Sequence, residues 1–172
     1  MAFKSTSWCR YMGLVFFSLI LCGMAKSPPL VGGPAPFFEL KNVEGRTIRL
    51  SDLHGKFVVL NFWATWCVPC IKEMPELQKA HQLLKKKGVK ILAINLGEKT
   101  SKIKKFLQEY RLSIPVLLDG YGNTSAKYRV IRLPVTYFIT PDGILREEMF
   151  GGGLTQEIIE NKVNQLTGQN PL

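Results

Sequence analysis

Cysteine and histidine are scarce in this chain. Four cysteines and two histidines occur in 172 residues, and Cys9 and Cys22 precede residue 26, so Cys67 and Cys70 are the only thiols beyond it. One pair cannot form the multi-bridge framework that staples small disulfide-rich domains. A structural zinc site generally takes four Cys or His ligands. Cys67, Cys70, His54 and His81 would exhaust the supply, and neither histidine has zinc-motif spacing from the cysteines, so no metal is expected. Acidic residues are also few, 13 against 23 Lys and Arg, for a net charge of +10. No nucleic-acid motif accompanies that charge, and the aromatics lie in apolar runs rather than interleaved with cations as a base-stacking platform requires. Internal repeats and low-complexity tracts are missing too.

What is present begins with a leader. Lys4 to Arg10 is positive, Tyr11 to Ala25 is apolar or small over 15 residues, and Gly23-Met24-Ala25 offers the small residues that a signal peptidase reads. Residues 1–25 are therefore read as a signal peptide or a membrane anchor, although the run is shorter than the roughly 18 to 20 residues of a comfortable span. Export follows under either reading, and the expected location is extracytoplasmic. Residues 26–36, rich in Pro and Gly, read as a linker, and residues 37–168 as one domain. The lysines, including Lys85-Lys86-Lys87, read as solvated helix faces and ends. Attraction to an anionic membrane surface or to an acidic partner is the functional alternative, and the sequence does not choose between them.

Within the domain, Phe37 to Leu40 and Thr47 to Leu50 alternate as in a hairpin, and Ser51 to Leu53 can start a helical turn. Phe57 to Trp63 is a nearly continuous apolar run, the mark of a central strand buried on both faces. Pro69 to about Lys87 is helical in composition, with a kink expected at Pro75. A strand over Val89 to Leu96, a helix capped by Thr100 or Ser101, a strand over Ile114 to Leu118 and a brief helix near Ser125 follow. Val135 to Ile139 and Ile144 to Phe150 flank Thr140-Pro141-Asp142-Gly143 as a hairpin, and a last helix covers Thr155 to Leu166. The order gives an α/β fold, a mixed sheet flanked by helices, with an N-terminal hairpin added.

Cys67 and Cys70 fall where the central strand turns into a helix. A helix N-terminus lowers a thiol pKa through its unpaired N–H groups and dipole, and the thiolate is the form that attacks a disulfide. Two intervening residues bring Cys70 back over the first turn, so Cys67 attacks and Cys70 resolves the mixed disulfide. Pro69 stiffens the loop at no hydrogen-bond cost. A static bridge would close too small a loop to contribute much stability. The chemistry requires no cofactor.

The stretch Asn61-Phe62-Trp63-Ala64-Thr65-Trp66-Cys67-Val68-Pro69-Cys70 with Lys72 to Leu77 closely resembles the active site of the thioredoxin-like TlpA, ResA and CcmG family. The likeness continues through Ala93 to Glu98, Leu133 to Ile139 and Pro141 to Gly143. It implies a thioredoxin-like fold and an exported thiol-disulfide oxidoreductase. It further implies that the substrates are disulfides of exported proteins, among them apocytochrome c during cytochrome c maturation, and that a membrane thiol electron donor keeps the pair reduced. Pro134 matches the family's cis-proline, which with Trp66, Pro69 and Val135 lines the substrate groove. Glu98 matches an acidic residue of the ResA branch, expected to carry protons with a raised pKa where Asn61 replaces thioredoxin's buried aspartate; a solvated loop carboxylate is the alternative. Trp63 is expected in the core, and Glu73 on the surface. An oxidase or isomerase, or a non-catalytic adaptor that holds an extended chain, remains open beside the reductase.

Overall fold

The computed structural model describes residues 30–168. The leader reading and residues 26–29 of the linker lie outside them. Among the described residues no helix is long and apolar enough to cross a membrane.

Two short strands, β1 (Glu39–Lys41) and β2 (Thr47–Arg49), pair antiparallel as the expected hairpin, and a 3-10 turn covers Leu50–Leu53. Strand β3 (Val58–Trp63) is buried along its whole length, and helix α1 (Val68–Leu84) leads from its end. Then come β4 (Lys90–Leu96), α2 (Thr100–Glu109), β5 (Val116–Asp119), α3 (Asn123–Lys127), β6 (Val135–Ile139), β7 (Leu145–Phe150) and α4 (Gln156–Thr167). The five-stranded sheet has the order β5-β4-β3-β6-β7, with β3, β4 and β5 parallel and β6 antiparallel to both neighbours. This is a thioredoxin-like sheet, and the apolar run that marked β3 as central does so because both faces are covered.

Each face has its own core. Alternate β3 side chains, Val59 and Trp63, join Met74, Leu77, Ala80 and Leu84 of α1, with Ile159 and Val163 of α4. Val58, Leu60 and Phe62 point the other way, to Tyr128, Val135 and Tyr137. That division is the period-two geometry of a strand. The buried α1 residues fall at steps of three and four, one helical face.

Helix α1 continues through Pro75, whose ring is on the exposed side, and one local expectation is corrected. Helix α2 is not capped by Thr100 or Ser101. Lys99 takes the cap position with no side-chain cap bond, and Thr100 is already helical.

Candidate active site

Strands β3, β4, β5 and β7 all end at one edge of the sheet, where β6 begins. The cysteines lie at that edge. Cys67 is the N-cap of α1, and the Cys70 N–H donates to its Sγ at 3.3 Å. The two are joined in a disulfide, with their Cα atoms 5.2 Å apart. Cys67 is 5 % exposed and Cys70 1 %. A backbone N–H aimed at the outer sulfur, at the positive end of a 17-residue helix, is what a thiolate at Cys67 requires once the bridge opens.

Around the pair, Trp66 and Val68 stand out into solvent, while Trp63 is fully buried with its ring against Phe106. The Leu133–Pro134 peptide is cis. The Pro134 carbonyl accepts the Gly151 N–H at 3.0 Å, which ties the end of β7 to the start of β6. One residue on, a Cβ added at Gly152 would lie 3.1 Å from the Pro69 Cβ, so a side chain there would press on the dithiol loop and Pro69 would have to give by a few tenths of an ångström. Pro69 is exposed. Val135 is fully buried in the core on the sheet face away from α1. Any part it has in a groove is therefore played by its backbone.

Glu98 is brought to the site, but in a different state from the one expected. Its carboxylate accepts the Thr65 N–H at 2.6 Å, the Thr65 hydroxyl at 2.5 Å, Asn95 Nδ2 at 2.9 Å and Lys102 Nζ at 2.6 Å. Burial pushes this carboxyl up, but the hydrogen bonds from Asn95, Lys102 and Thr65 outweigh it and hold the pKa at about 2. The expectation of a raised pKa is overturned: four donors around one carboxylate favour its charged form. Glu98 braces the loop that presents Cys67.

The sign of the resulting pH dependence follows from that depressed value. Stability from Glu98 is fully present above its unfolded pKa, near 4.5, and is lost as pH falls towards 2. The shift corresponds to roughly 3 kcal/mol, and to about 2 kcal/mol once the solvent-exposed Lys102 contact is discounted. Glu98→Gln is therefore expected to destabilise the protein by about that amount at pH 7 and by much less near pH 2. Denaturant unfolding at the two pH values reads the difference.

Glu73 is the residue that sequence reasoning misplaced. It is 3 % exposed rather than on the surface. Its Oε1 accepts the Leu154 N–H at 3.0 Å, and its Oε2 has no partner. Burial pushes its carboxyl above the usual range, against the hydrogen bonds from Leu154 and Gly153. It stands three residues after Cys70 on α1, a spacing that puts two side chains on one helix face with Cβ atoms about 5–6 Å apart. Asn61, by contrast, is buried inside the sheet and donates to Thr136 Oγ1 at 3.0 Å. Among the described residues no group of three or more His, Cys, Asp or Glu is placed to hold a metal ion.

Comparison with known proteins agrees with this geometry. Residues 31–148 match the AhpC/TSA family. The thiol-disulfide oxidoreductase ResA of Oceanobacillus iheyensis is 43 % identical over 143 residues, which cover 81 % of this chain and 74 % of that protein. Among solved structures, a candidate thiol:disulfide interchange protein DsbE from Chlorobium tepidum is 30 % identical with a TM-score of 0.71, over 81 % of this chain and 98 % of the other. StoA from Bacillus subtilis is 28 % identical with a TM-score of 0.67, over 78 % and 99 %.

Proposed function

This chain belongs to the AhpC/TSA family and is a thiol-disulfide oxidoreductase acting on protein disulfides, and we propose that it works as a reductant of exported proteins, apocytochrome c among them. The observation that carries the direction is the dithiol loop itself. Val68 and Pro69 add no charge and no histidine between the cysteines, so the reduced thiolate is stabilised by the helix end and one N–H alone. Strong oxidants of this fold depend on a much more stabilised reduced form.

In the reducing cycle the Cys67 thiolate attacks one sulfur of the substrate disulfide and forms a mixed disulfide, and the first substrate thiolate leaves. Cys70 loses its proton and attacks Cys67 Sγ, which releases the second substrate thiolate. Two electrons pass to the substrate, two protons end on its thiols, and the protein is left with the Cys67–Cys70 bridge. A membrane thiol donor resets the pair by the same exchange in reverse. Trp66, Pro69, the Pro134 loop and the backbone at Val135 border the incoming chain.

Glu73 is the proton carrier for Cys70. Its burial, its free oxygen and its place one turn along α1 support that role, and Glu98, held ionised by its four donors, is a positioning residue. Residues 1–25 are the export signal or anchor, residues 26–36 the linker and residues 37–168 the working domain, which acts on the extracytoplasmic side.

Equilibration of the protein with redox buffers, followed by trapping of free thiols, tests the direction. Thioredoxin-fold proteins run from about −270 mV for reductants to about −120 mV for oxidants. A value below roughly −220 mV is expected, and one above roughly −150 mV overturns the reductant reading.

A further inference from the structure

Residues 128–134, which join α3 to β6, form one wall of the dithiol edge, and they carry an arginine that the exchange chemistry leaves unused. The segment is pinned at three points. The Tyr128 carbonyl accepts the Tyr137 hydroxyl at 2.6 Å, the Val130 N–H donates to the Ser125 carbonyl at 2.9 Å, and the Pro134 carbonyl holds the Gly151 N–H at 3.0 Å. Between these ties Ile131 is 92 % exposed, with Arg132 exposed beside it. Trp66, Val68 and Phe150 are large apolar side chains left exposed around the same dithiol, so Ile131 adds to an apolar border rather than standing alone.

Arg132 lies over the Phe150 ring, its guanidinium carbon 4.9 Å from the centroid. Phe150 ends β7 and is the register partner of Val135, so ring and arginine are both anchored where β6 begins. Two residues after Phe150 comes Gly152, the position that packs against Pro69 between the cysteines. The stack therefore stands at the border of the dithiol. Its charge is not used inside the fold. Among the described residues, Arg132 takes part in none of the five ion pairs and in no hydrogen bond. Glu148, two residues before Phe150 and so on the same face of β7, is not paired with it either. An arginine laid on a ring keeps its charge and its N–H fork, and less of its freedom is left to lose on binding. The counterpart that matches the fork is a carboxylate, which accepts two parallel N–H bonds.

We propose that Arg132, seated on Phe150, is a specificity-determining residue that reads a carboxylate side chain on the incoming disulfide segment, a few residues from the cysteine that Cys67 attacks. The proposal rests on the reading of this face as the one that meets protein disulfides. The preferred segment is then apolar next to its cysteine, where Trp66, Val68 and Ile131 border it, and acidic further along. Lys72 and Lys99, also exposed at this edge, attract any acidic chain, but a point charge on a flexible stem selects no position in it. The other use of such a stack is to cover an apolar ring with an arginine stem, and that use predicts no discrimination among substrates.

A peptide scan tests the assignment. The full chain, reduced beforehand and freed of reductant, is mixed with an excess of terminally blocked peptides that hold one internal disulfide. They differ only in Glu, Gln or Lys at a single position, about two to five residues from the first cysteine. Trapping of free thiols followed by mass spectrometry gives the rate constant for each. At one position of the scan the Glu peptide is expected to react about five- to tenfold faster than the Gln peptide, with the Lys peptide slowest, and high salt is expected to shrink the gap. The ratio of Glu to Gln rates within one protein cancels whatever a substitution does to the dithiol itself. In Arg132→Gln that ratio should fall to about one, and in Arg132→Lys to about twofold, because lysine keeps the charge without the fork. In Arg132→Glu the order of the Glu and Lys peptides should reverse. A ratio kept in Arg132→Gln, or a parent that treats Glu and Gln alike at every position, overturns the proposal while the action of the dithiol on protein disulfides stands. Failure of the reduced parent to open any of the peptides strikes the reading of the face itself, and the proposal with it.

Discussion

Cys67→Ser is expected to abolish disulfide exchange, whereas Cys70→Ser is expected to halt turnover after one step and accumulate a covalent adduct between Cys67 and the substrate. The asymmetry comes from geometry. Cys67 is the more exposed of the two, caps α1, and has the Cys70 N–H aimed at its sulfur. Cys70 lies deeper, among core residues, where a partner's disulfide cannot reach but the Cys67 sulfur can. Loss of the attacking thiolate removes the nucleophile outright, and turnover should fall on the order of 10³-fold or more in either variant. Intact mass spectrometry after mixing with a disulfide peptide separates them: an adduct in Cys70→Ser and none in Cys67→Ser. An adduct found only in Cys67→Ser would reverse the two roles.

The parts of this site that could be read from the sequence are those set by near neighbours. A strand covered on both faces needs an unbroken apolar run, and Val58 to Trp63 has one. A dithiol spaced by two residues at a strand-to-helix turn needs no tertiary information, nor does the hairpin around Pro141-Asp142-Gly143. Glu73 and Glu98 are different because their states depend on distant residues. Beside Lys72 and ahead of Glu76, Glu73 looks like an ordinary surface carboxylate. What buries it is the loop at Leu154, 81 residues away in sequence. Glu98 looks free beside Lys99, yet Thr65, 33 residues back, supplies two of its four donors, and the local hints are Asn95 three residues before it and Lys102 four after. Val135 was placed in the groove through its neighbour Pro134, but strand alternation turns its side chain to the far core. Gly152 carries no signal, since its close approach to Pro69 exists only in the fold.

The burial of Glu73 has a thermodynamic consequence that can be measured alongside its chemical one. A carboxyl whose folded pKa is raised favours the folded state when neutral. Its contribution is fully present below the unfolded pKa, near 4.5, and is lost as pH rises through the folded value. Glu73→Gln keeps an acceptor for the Leu154 N–H and removes the charge, so the variant's Tm minus that of the parent should grow as pH rises from 4 to 8. Any fixed cost of the new amide, whose second group has no partner either, cancels from that difference. Exchange should move in the opposite direction. A positioned general base contributes about 10²-fold or more, so resolution of the mixed disulfide by Cys70 should slow by about that factor at pH 7, with attack by Cys67 little changed. Rapid-quench trapping of the mixed disulfide across pH reads the two steps separately. A variant that gains relative stability with pH but resolves the adduct at the parental rate would leave Glu73 as a buried tether for the 153–154 loop and remove it from the proton path.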